Sequence, residues 1–219
     1  MKPFDAFLIE TGDDGKVRGR LTQLSLDELD AGEVTIRVHY ASINYKDALA
    51  ATGAGKIIRR FPCVGGIDLA GEVVHSDDAR FKVGDAVIAT SFDIGVSHHG
   101  GYAQYARVPA RWVVALPAGL TLFESMALGT AGFTAALGIV RMEDNGLSPD
   151  KGPVLVTGAT GGVGGLAIDM LARLGYHVVA LTGKEHEQDY LRGLGAAEVK
   201  LTSSIDLQKV RAMEGGLWA

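Results

Sequence analysis

The sequence predicts an α/β chain: a β-rich first part followed by an alternating strand–helix second part. Three observations lead there. Short period-two apolar runs, separated by Gly, Asp or Pro, continue to about residue 117. Near Leu120 the pattern changes to long apolar helical segments. Then PVLVTGATGGVGGLAIDML, residues 153–171, sets five glycines between an apolar strand pattern and an apolar helix pattern.

Taken in order, FDAFLIE (4–10) and EVTIRVHYAS open the β part. In the second, Val34, Ile36, Val38 and Tyr40 alternate with Arg37 and His39, as on a half-buried strand. IDLAGEVV, DAVIAT, YAQYARV and WVVALP continue the series, which predicts a barrel or sandwich. Thr121 followed by Glu124 forms a capping box and opens a helix through Met126 and Leu128. GTAGFTAALGIVRM reads as a second, mostly buried helix. Strand, glycine loop, helix, strand, helix and short strand follow, a βαβ series with a parallel sheet. The domains are placed at 1–120 and 121–219.

Composition narrows the function. A net charge of −5 with interspersed signs predicts no nucleic-acid partner. Cys63 is the one cysteine, so an internal disulfide and a multi-thiolate zinc site are excluded. With no secretory pattern and no run of about eighteen apolar residues, a cytoplasmic protein without membrane contact is expected.

The glycines sit where a strand turns into a helix, at unpaired amides and the positive end of the helix dipole. Val163, Leu166, Ala167, Met170, Leu171 and Leu174 are expected to line that helix's buried face. Bare backbone at Thr160, Gly161, Gly162, Val163, Gly164 and Gly165 lets a pyrophosphate approach, which predicts a dinucleotide. The next strand ends Thr182-Gly183-Lys184-Glu185-His186. An acidic residue there would take the ribose hydroxyls of NAD; a lysine suits a 2′-phosphate, so NADPH is the expected cofactor.

The blocks SINYKDALAATGAGKIIRRFP, GIDLAGEV, RFKVGDAVIAT, HHGGYAQYARVP, GTAGFTAALGI and LVTGATGGVGG cover nearly the whole chain. With them the sequence resembles the zinc-free medium-chain dehydrogenase/reductases, in particular the acryloyl-CoA reductase and quinone-oxidoreductase-like group. The resemblance implies a GroES-like β-barrel domain and a Rossmann domain with NADPH between them. It further implies that Tyr45 contacts the nicotinamide side, and that full-length forms are homodimers. Zinc-dependent relatives carry a ligand cysteine near Asn44 and a GHE motif where this chain has Gly66-Ile67-Asp68, so no metal is expected. His98-His99 read as turn or cleft-wall residues.

The activity so implied is hydride transfer to the C=C bond of a conjugated acyl-CoA, acryloyl-CoA becoming propanoyl-CoA. A quinone acceptor is the alternative, and a non-catalytic NADPH-binding protein or inactive remnant the second. Tyr45, Asn44 and Asp47 of the NYKD run are the candidate catalytic residues, with Asn44 and Asp47 as orienting partners on an extended segment; the alternative is a strand-to-helix junction with Asp47 in its first turn. Lys56, Arg59 and Arg60 form a candidate basic rim for coenzyme A phosphates. Only strands 1 to 3 of a Rossmann sheet are visible before Ala219, so about half of that domain is expected, in a truncated chain with strand 1 at an apolar edge. Residues 203–219 are expected to pack poorly.

Overall fold

The computed structural model describes residues 2–204. The expectation for 203–219 therefore falls almost wholly outside the described residues. Two compact units divide the chain, Met1–Thr130 and Ala131–Ala219.

In the first unit β1 (Phe4–Thr11) and β2 (Val17–Leu24) form an antiparallel hairpin. Five further antiparallel strands make a second sheet: β3 (Val34–Tyr40), β5 (Asp68–Ser76), β6 (Ala86–Thr90), β7 (Tyr105–Val108) and β8 (Val113–Ala115). Their order is β7-β3-β5-β6-β8, while the two-residue strand β4 (Cys63–Val64) adds to β1. The Phe7 N–H to Tyr102 O bond of 2.7 Å and an Ala6–Ala103 bridge join the two sheets. Alternation places Val34, Ile36, Leu69, Val73, Val87 and Val108 in one core with Trp112. Tyr40, expected on the buried face, is 45% exposed and meets Phe123 edge-on.

A polar knot fastens the rim of this barrel. Asp30 accepts Arg60 and the His99 N–H (2.7 Å), and His99 Nδ1 accepts the buried Val64 N–H at 2.9 Å. That bond requires a neutral ring, and burial pushes the imidazole below its ordinary value. Unfolded, the same ring protonates near pH 6.5. His99 thus contributes stability that is present above that pH and falls as pH drops through it toward the folded value. Urea melts should show a lower midpoint at pH 5.5 than at 7, and His99→Gln should shrink the difference.

The helix α2 (Leu122–Asp144) carries the chain from one unit to the next. Its start is the expected capping box: Thr121 N–H and hydroxyl reach Glu124 Oε2 (2.8 and 2.7 Å), and Glu124 N–H returns to the hydroxyl. Gly129 (φ 50°, ψ −156°) breaks it into the two expected helical pieces. The second piece is not mostly buried, because Ala135 and Ile139 face inward while Phe133, Leu137 and Val140 are exposed. By length and composition α2 is long and apolar enough to cross a membrane.

The second unit continues as β9 (Val154–Val156), α3 (Gly162–Arg173), β10 (Val178–Thr182), α4 (Gln188–Gly193) and β11 (Glu198–Leu201). The strands are parallel in the order β11-β10-β9, the 3-2-1 half of a dinucleotide-binding sheet. The face of α3 differs from the expected one. Gly164, Gly165, Ile168 and Leu171 are its buried residues, whereas Val163 and Leu174 are 42% and 53% exposed. Glycines, having no side chain, pack closest.

Candidate functional site

The glycine loop follows β9. Gly158 takes a left-handed φ of 58°, and a Cβ there would enter open space. Gly161 is the N-cap of α3 in extended conformation, with no side chain closing the helix. Gly165 N–H makes the first bond, to Gly161 O at 2.8 Å. Among the described residues no partner is recorded for the amides of Gly162, Val163 and Gly164, at the positive end of a twelve-residue helix. Gly164 lets the helix close on the loop: its Cβ would stand 2.4 Å from Gly158 O and 2.9 Å from Ala159 Cα. Donors, dipole and bare backbone together suit a diphosphate.

Strand register brings the second motif to the same edge. Val178 pairs with Val154 and Ala180 with Val156, and Ala159 N–H reaches Leu181 O at 3.3 Å. Thr182 is buried, and its hydroxyl accepts the Lys184 N–H at 3.0 Å. Gly183, Lys184, Glu185 and His186 are exposed. The Lys184 ammonium has no salt bridge among the described residues, while His186 Nε2 lies 3.6 Å from Glu187. All lie at the carboxyl end of the parallel strands, where open α/β sheets bind ligands.

In the first unit the NYKD run is not wholly extended. Asn44 is an extended N-cap (φ −112°, ψ 152°), and Tyr45 begins α1 (Tyr45–Thr52). Tyr45 is 80% exposed and Asp47 is buried. Asp47 Oδ2 accepts the Asn44 N–H at 2.9 Å, and Oδ1 accepts the Ile67 N–H at 3.1 Å. It thereby ties the helix start to the strand leading into Asp68.

Asp68, fully buried, is the centre that sequence reasoning missed. Its carboxylate accepts the Ser42 hydroxyl, Asn44 Nδ2 (2.9 Å), the Thr130 N–H (2.9 Å) and the Thr130 hydroxyl (2.5 Å). The Thr130 amide points there because of the break at Gly129, whose Cβ would stand 2.9 Å from Asp68 Oδ2. Tyr102 donates to Ser42 O at 3.0 Å; burial, reinforced by the charge of Asp47, pushes its phenol well up. A carboxylate inside the apolar run IDLAGEVV was the available signal.

The basic rim is only partly available. Arg60 is committed to Asp30 and to Ser97 O (2.9 Å), and Arg59 lies 3.9 Å from Asp93. Lys56 is exposed and makes no salt bridge among the described residues. His98 and His99 are buried, and His98 Nε2 donates to Arg107 O at 2.8 Å. Burial pushes the Cys63 thiol up to about 12. Among the described residues no group of three or more His, Cys, Asp or Glu is placed to hold a metal.

A family model for the alcohol dehydrogenase GroES-like domain matches residues 30–118. The crystal structure of a Salmonella enterica yhdH oxidoreductase in complex with NADP superposes with a TM-score of 0.93 at 47% identity, covering 98% of this chain and 65% of that one. This chain has a zinc-independent medium-chain dehydrogenase/reductase fold, related to the AcuI and quinone-oxidoreductase family. Its parts are a GroES-like N-terminal domain and a partial Rossmann-like domain.

Within that family the chain is 46% identical over 217 residues to acrylyl-CoA reductase AcuI of Ruegeria pomeroyi, covering 99% of this chain and 66% of the relative. It is 52% identical over 195 residues to putative quinone oxidoreductase YhfP of Bacillus subtilis, covering 89% and 59%. The crystal structure of B. subtilis yhfP with NAD bound covers 100% of this chain and 66% of that one, at a TM-score of 0.95 and 49% identity. The chain spans about two thirds of the length of these medium-chain dehydrogenase/reductases.

Proposed function

We propose that the protein binds NADPH and that the enzyme it represents reduces a conjugated carbonyl acceptor. The observation that carries this is the open start of α3, where no side chain caps the helix beside a left-handed glycine. The amides of Gly162, Val163 and Gly164 would hold the diphosphate, and the Lys184 ammonium with the Thr182–Gly183 turn would hold the 2′-phosphate. The bound cofactor supplies a hydride for an electron-poor C=C bond. Tyr45, 80% exposed, is assigned to the nicotinamide by the family resemblance. Asp68 and Asp47 hold Asn44 in one orientation, and its Nδ2 is spent on Asp68 and Ser42, so Asn44 acts as a positioning residue for the helix start that presents Tyr45. Negative charge then develops on the acceptor's carbonyl oxygen, and fixed donors there lower the barrier.

Two acceptor classes follow. A quinone is supported by the charge of the rim: with Arg60 locked to Asp30 and Arg59 facing Asp93, little positive charge is left for coenzyme A phosphates. A conjugated acyl-CoA such as acryloyl-CoA is supported by 46% identity, over 99% of the chain, to a reductase of that name, and by the exposed Lys56. NADPH oxidation measured with a naphthoquinone and with acryloyl-CoA decides. The quinone reading expects the larger kcat/KM with the quinone; the reverse order overturns it, and turnover of neither removes both.

Lys184→Glu tests the cofactor assignment. A carboxylate opposite the 2′-phosphate should weaken NADPH by at least 10-fold while leaving NADH within about 3-fold. Calorimetry showing NADPH unchanged would refute the role of Lys184.

A further inference from the structure

Beyond β6 the backbone does something costly. Ser91 and Phe92 stand consecutively at positive φ, 66° and 50°, and neither is glycine. Left-handed backbone is uphill for residues with a Cβ, and a pair of them persists only where the surroundings impose it. Ser91 N–H bonds Ile67 O at 3.1 Å, and Ile94 N–H returns to Ser91 O at 3.2 Å. Thr90, just before, pairs with Asp68 in the sheet. The strained pair therefore rises from the same backbone that carries the polar cluster: Ile67 gives its N–H to Asp47, and Asp68 is the next residue.

Besides making these bonds, the conformation aims the Phe92 ring. The ring lies nearly parallel on Trp112, with centroids 5.4 Å apart and planes 10° apart. Trp112 is buried and braced by the His98 ring edge-on at 5.0 Å and by the Arg111 guanidinium at 5.3 Å. Phe92 itself remains 61% exposed. Burial alone would not select such a residue, since most of its surface stays wet. A rigid backing with a bare aromatic face is a platform.

We infer that Phe92 is the stacking face for the planar ring of a quinone acceptor, and so a specificity-determining residue. This rests on the proposed reductase reading and adds which side chain meets the acceptor. The chemistry selects the occupant. An aromatic face is electron-rich, so two electron-rich rings stack offset, as Phe92 and Trp112 do, and avoid the eclipsed sandwich that an electron-poor ring accepts. A quinone ring is electron-poor, and its quadrupole opposes that of Phe92. The neighbouring Asp93 carboxylate, 3.9 Å from Arg59, disfavours an anionic ring beside Phe92.

Trp112 reports on the stack. In a Trp218→Phe background it is the single tryptophan, and a quinone seated on Phe92 should quench it saturably, with or without NADPH. Phe92→Leu and Phe92→Met, which remove the π-face but keep apolar bulk, should weaken the 1,4-naphthoquinone Kd about 3- to 10-fold. Phe92→Tyr should restore it. In turnover, the same variants should raise KM for the naphthoquinone while leaving kcat and the KM for acryloyl-CoA within about twofold. Non-saturable quenching, or equal affinity in the Leu, Met and wild-type proteins at unchanged melting midpoint, overturns the inference. Absence of NADPH-linked quinone reduction in every variant overturns the reductase reading instead.

Discussion

Alanine at Gly164 is expected to cost at least 10-fold in NADPH affinity, whereas alanine at the adjacent Gly165 leaves it near wild type. The two glycines share a helix and a buried face but not their surroundings. At Gly164 the added carbon meets the backbone oxygen of Gly158 at 2.4 Å and Ala159 Cα at 2.9 Å. Backbone cannot rotate away as a side chain can, so the loop itself must shift. Overpacking of this kind costs about 1–3 kcal/mol in stability. It also moves Gly158 relative to the amides of Gly162 and Val163, and a tenfold loss is only about 1.4 kcal/mol. At Gly165 the carbon meets Leu194 Cδ1 and Tyr190 Oη at 3.4 Å, both side-chain ends that give easily. Alanine in a helix also gains up to about 1 kcal/mol over glycine. Calorimetry and thermal melts on the pair decide; equal affinities in the two variants would contradict the assigned loop geometry.

Removing the Asp68 carboxylate should be the most destabilising single change in the first unit. Asp68→Ala leaves the Thr130 N–H and hydroxyl, Asn44 Nδ2 and the Ser42 hydroxyl without their common acceptor. A hydrogen bond to a charged group contributes about 1.5–3 kcal/mol, and the four share one centre, so they are not additive. A loss of about 3–5 kcal/mol is expected, or roughly 6–20 °C in melting midpoint for a chain of this size. Asp68→Asn should lose less, because one oxygen remains, yet its amide must then face other donors. Both variants should also lower activity by releasing Asn44. A midpoint within about 1 °C of wild type for Asp68→Ala would show that the cluster is not what holds the Gly129 break.

Much of this was legible in the sequence. The alternation of Val34, Ile36 and Val38 and the Thr121–Glu124 box each specified an element, because both are local and periodic. The α1 helix was legible only as the alternative to an extended NYKD run: Asn44 followed three residues later by Asp47 is a helix-start spacing, but eight residues give little periodicity to see. The two residues of β4 are too few for any pattern, and β2 exposes Leu21. On α3 the apolar count placed Val163 and Leu174 inward, since glycine carries no hydrophobic weight although Gly164 makes the closest approach. The links from Asp68 to Thr130 and from Arg60 to Asp30 bridge 62 and 30 positions. No local signal reports a partner that far along the chain, so the carboxylate hub and the loss of Arg60 from the basic rim required the fold.

The glycine-loop motif rests on chemistry that one titration addresses. Isothermal calorimetry of the protein against NADPH and NADH at pH 7 should give saturable 1:1 binding of NADPH, tighter than that of NADH. Heat signals absent for both nucleotides, from protein shown by circular dichroism to be folded, would contradict the account at its root.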